Sequence, residues 1–221
     1  MNKGIKIGIF AAIALFIVIL AVFALSKIKV DDFKKAAVIF LVDSSASNQE
    51  QLTEQLKSVK QLCSMLDPED QIKILRVSQD AYLIYEGSPQ SSSEIRKSMD
   101  EFTKLDSKEY GTAYGLAFKK ALGHAEVMHK EGYLSSIVVL GDLENEGDSE
   151  KQINWNNLPD DIQKTKDIAP ELTIMFLYAK PDKLDFVKEK LSPILGESNL
   201  IIGTQATASK TLRKFLGAVG R

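Results

Sequence analysis

The segment Ala36-Ala37-Val38-Ile39-Phe40-Leu41-Val42 is apolar at every position, contains β-branched residues and shows no alternation with polar ones. It suits a strand buried on both faces of a sheet, because neither row of its side chains is fit to meet water. The rest of the chain supplies the layers such a strand needs. Leu52, Leu56, Val59, Cys63 and Leu66 fall on one helical stripe, with Asn48 as a candidate cap and Pro68 just beyond the end. Segments 72–77 and 82–85 read as two strands joined by Ser78-Gln79-Asp80, a hairpin that puts one antiparallel strand at an edge.

Helices are expected over 91–105, with Ile95, Met99 and Phe102 inward, and over 112–130 after Tyr110-Gly111. A second buried strand, 136–140, runs into Gly141-Asp142. The polar stretch 143–157 that follows is long enough for a functional loop over the sheet. Helix 160–168, strand 172–178, helix 182–191, strand 200–202 and helix 206–216 complete the chain. Strand and helix alternate with connections that can only be crossovers. The expected fold is therefore α/β: a doubly wound, mostly parallel six-stranded sheet with one antiparallel edge strand and helices on both faces.

Residues 7–26 form a second constraint, 20 residues without a charge, flanked by Lys3 and Lys6 before and Lys27 and Lys29 after. As a helix the run spans roughly 30 Å, a bilayer core. It exceeds the apolar core of about 7 to 15 residues usual in a secretory signal, which favours an uncleaved anchor, although Ala24-Leu25-Ser26 offers small residues at cleavage-like spacing. The expected organisation is a tail 1–6, a single transmembrane helix 7–26, a linker 27–35 and a domain 36–217. Lysines stand on both sides of the run; the expected orientation keeps the amino terminus in the cytoplasm and the domain outside. From Val30 onward, 24 basic residues face 30 acidic ones, a net charge of −6. That excludes a basic, nucleic-acid-binding surface as the leading reading. The single cysteine, Cys63, cannot form an internal disulfide and reads as a small core residue.

In an open parallel sheet, ligands bind beyond the carboxyl ends of the strands where strand order reverses. Asp43 and Asp142 fall at such ends, after the first and fourth strands. Ser45 and Ser47 follow Asp43 at i+2 and i+4, a spacing that in a tight turn directs three oxygens to one point. Thr112, opening a helix after Gly111, supplies another hydroxyl. Hard oxygen donors with few carboxylates suit Mg²⁺. Singly, each residue also reads as a turn, cap or solvated strand-end residue. His124 and His129, five apart on a helix, lack the spacing for a shared metal.

In this order the residues resemble a von Willebrand factor type A domain, whose metal-ion-dependent adhesion site has the pattern Asp-x-Ser-x-Ser, then Thr, then Asp. Asp43, Ser45, Ser47, Thr112 and Asp142 match it. Leu66-Asp67-Pro68-Glu69-Asp70-Gln71-Ile72 before the second strand and Gly111-Thr112 before a helix containing Ala117 and Ala121 add to the likeness, which covers about residues 36–216. The resemblance implies a divalent ion held directly or through water, with one coordination position open to a partner's carboxylate. The family usually carries Gly after its last Asp; Leu143 stands there, followed by Glu144, Asn145 and Glu146. Glu144 or Glu146 could fill the open position from within or meet the partner, and Trp155 either lines the recognition face or packs the loop.

The expected function is a non-enzymatic, membrane-anchored domain that recognises an acidic residue of a protein partner through Mg²⁺ or another divalent cation. A Mg²⁺-dependent phosphoesterase or nuclease and a metal-free structural subunit of a membrane assembly are the alternatives. Against the enzyme stand the hydroxyl-dominated site and the lack of a Gly-rich phosphate loop, a nucleophile elbow or an evident general base.

Overall fold

The computed structural model describes residues 35–103 and 111–220. The expected tail 1–6, transmembrane helix 7–26 and linker up to residue 34 lie outside the described residues. Among the described residues no helix is long and apolar enough to cross a membrane.

The elements are β1 (Ala36–Asp43), α1 (Gln49–Cys63), β2 (Gln71–Val77), β3 (Ala81–Gly87), α2 (Ser92–Met99), α3 (Tyr114–Lys130), β4 (Leu134–Leu140), α4 (Leu158–Ile168), β5 (Thr173–Leu177), α5 (Pro181–Asn199), β6 (Leu200–Gly203) and α6 (Ala208–Ala218). They build one six-stranded sheet in the order β3-β2-β1-β4-β5-β6. All neighbours are parallel except β3, antiparallel to β2 at the edge. Every residue of β1 is buried. Because strand side chains alternate, Val38, Phe40 and Val42 pack with α1, α2 and α6, whereas Ile39 and Leu41 pack with α3, α4 and α5. Each large apolar side chain so buried stabilises the fold by about 1.5–3 kcal/mol.

Strand order reverses between β1 and β4, so the carboxyl ends of these two strands flank the switch point. The register pairs Val42 with Leu140, and Leu140 with Leu177. Asp43 and Gly141 are therefore abreast, with the residues after β5 alongside.

Several boundaries differ from the sequence reading. The helix expected over 91–105 is α2 followed by a 3-10 turn, Asp100–Thr103, with Ile95, Met99 and Phe102 buried as expected; residues 104–110 lie outside the described ones. Thr112 does not begin a helix. It forms an isolated antiparallel bridge with Glu146, and α3 starts at Tyr114. Asn48 does not cap α1 with its side chain; its amide donates to the Asp43 carbonyl at 3.2 Å. Helix α5 outruns 182–191 because its buried stripe, Leu184, Val187 and Leu191, continues to Leu195 beyond Pro193, before non-helical Gly196 (φ 73°).

Candidate metal centre

The site begins where β1 stops. Asp43 is fully buried, and both its carboxylate oxygens are engaged: Oδ1 accepts from the Ser45 amide at 2.8 Å and Oδ2 accepts from the Tyr114 hydroxyl at 2.8 Å. The Ser44 amide donates to the Val77 carbonyl at 2.8 Å, which ties the turn to β2. Ser45 and Ser47 then bring their hydroxyls within 3.1 Å of each other. Burial pushes the Asp43 carboxyl up to about 6, against the lowering pull of the Ser45 and Tyr114 hydrogen bonds, and the nearby Asp142 charge adds to the rise. Burial and the Asp43 charge hold the Tyr114 phenol well above its ordinary range.

Asp142 reaches the same edge from β4, nearly buried, with Oδ1 accepting from the Glu144 amide at 2.9 Å. Gly141 before it is dictated by close approach. A Cβ there would lie 2.0 Å from the Tyr114 hydroxyl oxygen and 2.5 Å from Asp43 Cβ. Leu143 resolves the departure noted in the sequence: it takes φ 62°, the left-handed conformation a glycine adopts freely, while its side chain is buried in the core with Tyr114.

Thr112 comes from the third segment. Its amide donates to the Glu146 carbonyl at 2.9 Å, and it lies two residues before Tyr114, whose hydroxyl bonds Asp43. Among the described residues, Thr112 Oγ1 is the one buried side-chain nitrogen or oxygen with no hydrogen-bond partner. Orphaned buried groups of this kind cost about 1–3 kcal/mol. No three His, Cys, Asp or Glu side chains gather as a metal cluster among the described residues. The candidate donors are thus two carboxylates and three hydroxyls, all hard oxygens.

The remaining candidates are placed differently. Glu144 is held by two cations the sequence reading missed, Lys180 (Nζ to Oε1, 3.0 Å) and Lys183 (Nζ to Oε2, 3.3 Å). The hydrogen bond from Lys180 holds its carboxyl below the usual range. Glu146 contributes its backbone carbonyl to Thr112. Trp155 meets Phe186 of α5 edge-on, ring centres 5.2 Å apart, and packs partly buried against the core. His129 Nδ1 lies 2.7 Å from Glu171 Oε1. Cys63 is buried, its thiol pushed up to about 12 by burial. It touches a cavity of about 610 Å³ between α1 and α2 that includes none of the five oxygen donors.

The family model of the von Willebrand factor type A domain matches residues 37–172. Among solved structures, a von Willebrand factor type A protein from Catenulispora acidiphila is similar at TM-score 0.58 and 14% identity, over 85% of this chain and 43% of that one. Proximal thread matrix protein 1 from the mussel byssus, with a zinc-occupied MIDAS motif, gives 0.58 and 14%, over 84% of this chain and 48% of that one. Manganese-loaded TRAP protein of Plasmodium vivax gives 0.58 and 12%, over 83% and 74%. The chain spans less than half the length of the first two. No curated protein matches it in sequence. At identities this low the structural likeness establishes the shared fold alone, and the family model covers more than half of the chain. The chain belongs to the von Willebrand factor type A domain family.

Proposed function

We propose that this chain is a membrane-anchored, non-enzymatic domain that binds a protein partner through a divalent cation held by Asp43, Ser45, Ser47, Thr112 and Asp142. The observation that carries the reading is the unpartnered, buried Thr112 hydroxyl at an edge that also holds two buried carboxylates. A hard cation satisfies all three needs at once, and oxygen donors of this kind favour Mg²⁺ or Mn²⁺. A zinc-occupied MIDAS motif in one similar structure and bound manganese in another support a divalent ion for this chain. When bound, the ion supplies a Lewis-acidic position for a carboxylate of the partner. The chain's own part is positioning. Tyr114 and the Ser45 amide fix the Asp43 carboxylate, the lash to Val77 holds the serine turn, and the bridge to Glu146 holds Thr112.

Thermal unfolding of the full chain in detergent micelles tests this, with Mg²⁺ or Mn²⁺ against chelator. Ion at about a hundred times its Kd should add about 2.7 kcal/mol, and Asp43→Ala should remove the gain. Equal melting temperatures with ion and with chelator would refute it. Residues 7–26 supply the anchor in this reading, with the domain outside; protease protection of the domain in sealed right-side-out cells would overturn that orientation.

A further inference from the structure

Lys180 immediately precedes α5, and its amide donates to the Asp142 carbonyl at 3.3 Å. The backbone after β5 is thereby tied to the backbone after β4. From that fixed base, Lys180 Nζ lies 3.7 Å from Asp142 Oδ2 and 3.0 Å from Glu144 Oε1. The Asp142 side chain is 4% exposed, whereas the Lys180 side chain is 48% exposed. A nearly buried carboxylate of the candidate cation site is thus served by a half-exposed ammonium of its own chain, and that ammonium already has a second carboxylate in reach. Lys183 shares Glu144 from the other side at 3.3 Å.

Resting on the assignment of Asp142 as a ligand, we propose that Lys180 is a tethered competitor for the cation. Without metal its ammonium is shared between Glu144 and Asp142; when a divalent ion takes the Asp142 oxygens, Lys180 keeps Glu144 alone. Binding also changes the charge at the site. Asp43, Asp142, Glu144 and Asp182 against Lys180 and Lys183 leave −2, and a divalent ion brings this to 0. The mouth therefore repels a partner's carboxylate when empty and ceases to do so when loaded. Glu144, clamped by two lysines, serves as the parking place for Lys180 and not as an internal ligand.

The lysine is half-exposed, so its removal alters affinity by a modest factor, about three- to tenfold. The test is titration of the full chain in micelles with Mn²⁺, free ion read by electron paramagnetic resonance. Lys180→Met should bind Mn²⁺ about three- to tenfold tighter than the parent, and Lys180→Arg should stay within about twofold. Lys164→Met, which removes the same charge from α4, should change nothing. Melting adds a readout that a purely structural ion pair would not invert: Lys180→Met should melt below the parent in chelator and at or above it in saturating Mn²⁺. Parent binding with Lys180→Met equal or weaker would overturn the competitor role alone. Absence of Mn²⁺ binding in every variant would overturn the metal reading and this one with it.

Discussion

Replacing Leu143 by Gly and by Ala should destabilise the domain unequally, and in the reverse of the order expected at an ordinary buried position. Leu143 is 1% exposed and holds φ 62°. A left-handed conformation costs a residue with a Cβ about 1–2 kcal/mol. Deleting a buried leucine side chain costs about 2–5 kcal/mol. Ala loses the core contact and keeps the strain, so Leu143→Ala should fall in that range. Gly loses the same contact but sheds the strain, at the expense of about 0.5–1 kcal/mol of extra chain entropy. Leu143→Gly should therefore be destabilised by about 0.5–5 kcal/mol and be up to about 1.5 kcal/mol more stable than Leu143→Ala. Equilibrium urea unfolding in chelator, followed by circular dichroism, keeps metal linkage out of the comparison. A glycine variant as stable as the parent would show that strain, not packing, dominates at this position. An alanine variant more stable than the glycine one would refute the left-handed backbone. Either result would also remove the explanation for why this chain departs from the family's usual glycine.

Three further outcomes follow from the site. In chelator the native chain holds the Asp43 proton up to about pH 6, above the ordinary aspartate value of 3.8, so this group's stabilisation is complete below the unfolded value and is lost as pH rises through 6. The fall is on the order of 3 kcal/mol between pH 4 and 7, visible in the urea midpoint, and Asp43→Asn should flatten it; an unchanged profile would contradict the assigned cause. Tyr114→Phe removes the 2.8 Å bond to Asp43 Oδ2, which should lower stability near pH 7 by about 1.5–3 kcal/mol and move the decline to higher pH; a melting temperature within a degree of the parent would count against that bond. Gly141→Ala places a methyl 2.0 Å from the Tyr114 oxygen and should cost about 1–3 kcal/mol or more while weakening cation-dependent stabilisation, and normal Mn²⁺ binding by this variant would show that the two strand ends can separate freely.

The sheet was legible because its strands are short apolar runs and its helices carry stripes, signals that live within a dozen residues of one another. Ala36 to Val42 and the stripe ending at Cys63 needed no knowledge of neighbours. The five candidate oxygens were legible for a similar reason: three lie in one turn, one stands just past a buried strand and one just ahead of a helix. What escaped the linear reading comes from elements that meet only once strand order is known. Lys180 stands 38 residues beyond Asp142, with a helix between, and carries no motif. Yet β4 and β5 are parallel neighbours with Leu140 opposite Leu177, so whatever follows β5 shares an edge with whatever follows β4. Tyr114 is hidden differently. At helical spacing with Phe118 and Ala121 it reads as plain core, and only its hydroxyl, carried past the apolar layer to Asp43, distinguishes it from phenylalanine. A parallel sheet collects its functional groups from successive crossovers, so the residues that tune a site sit just past the ends of adjacent strands and at the starts of neighbouring helices rather than at any fixed distance along the chain.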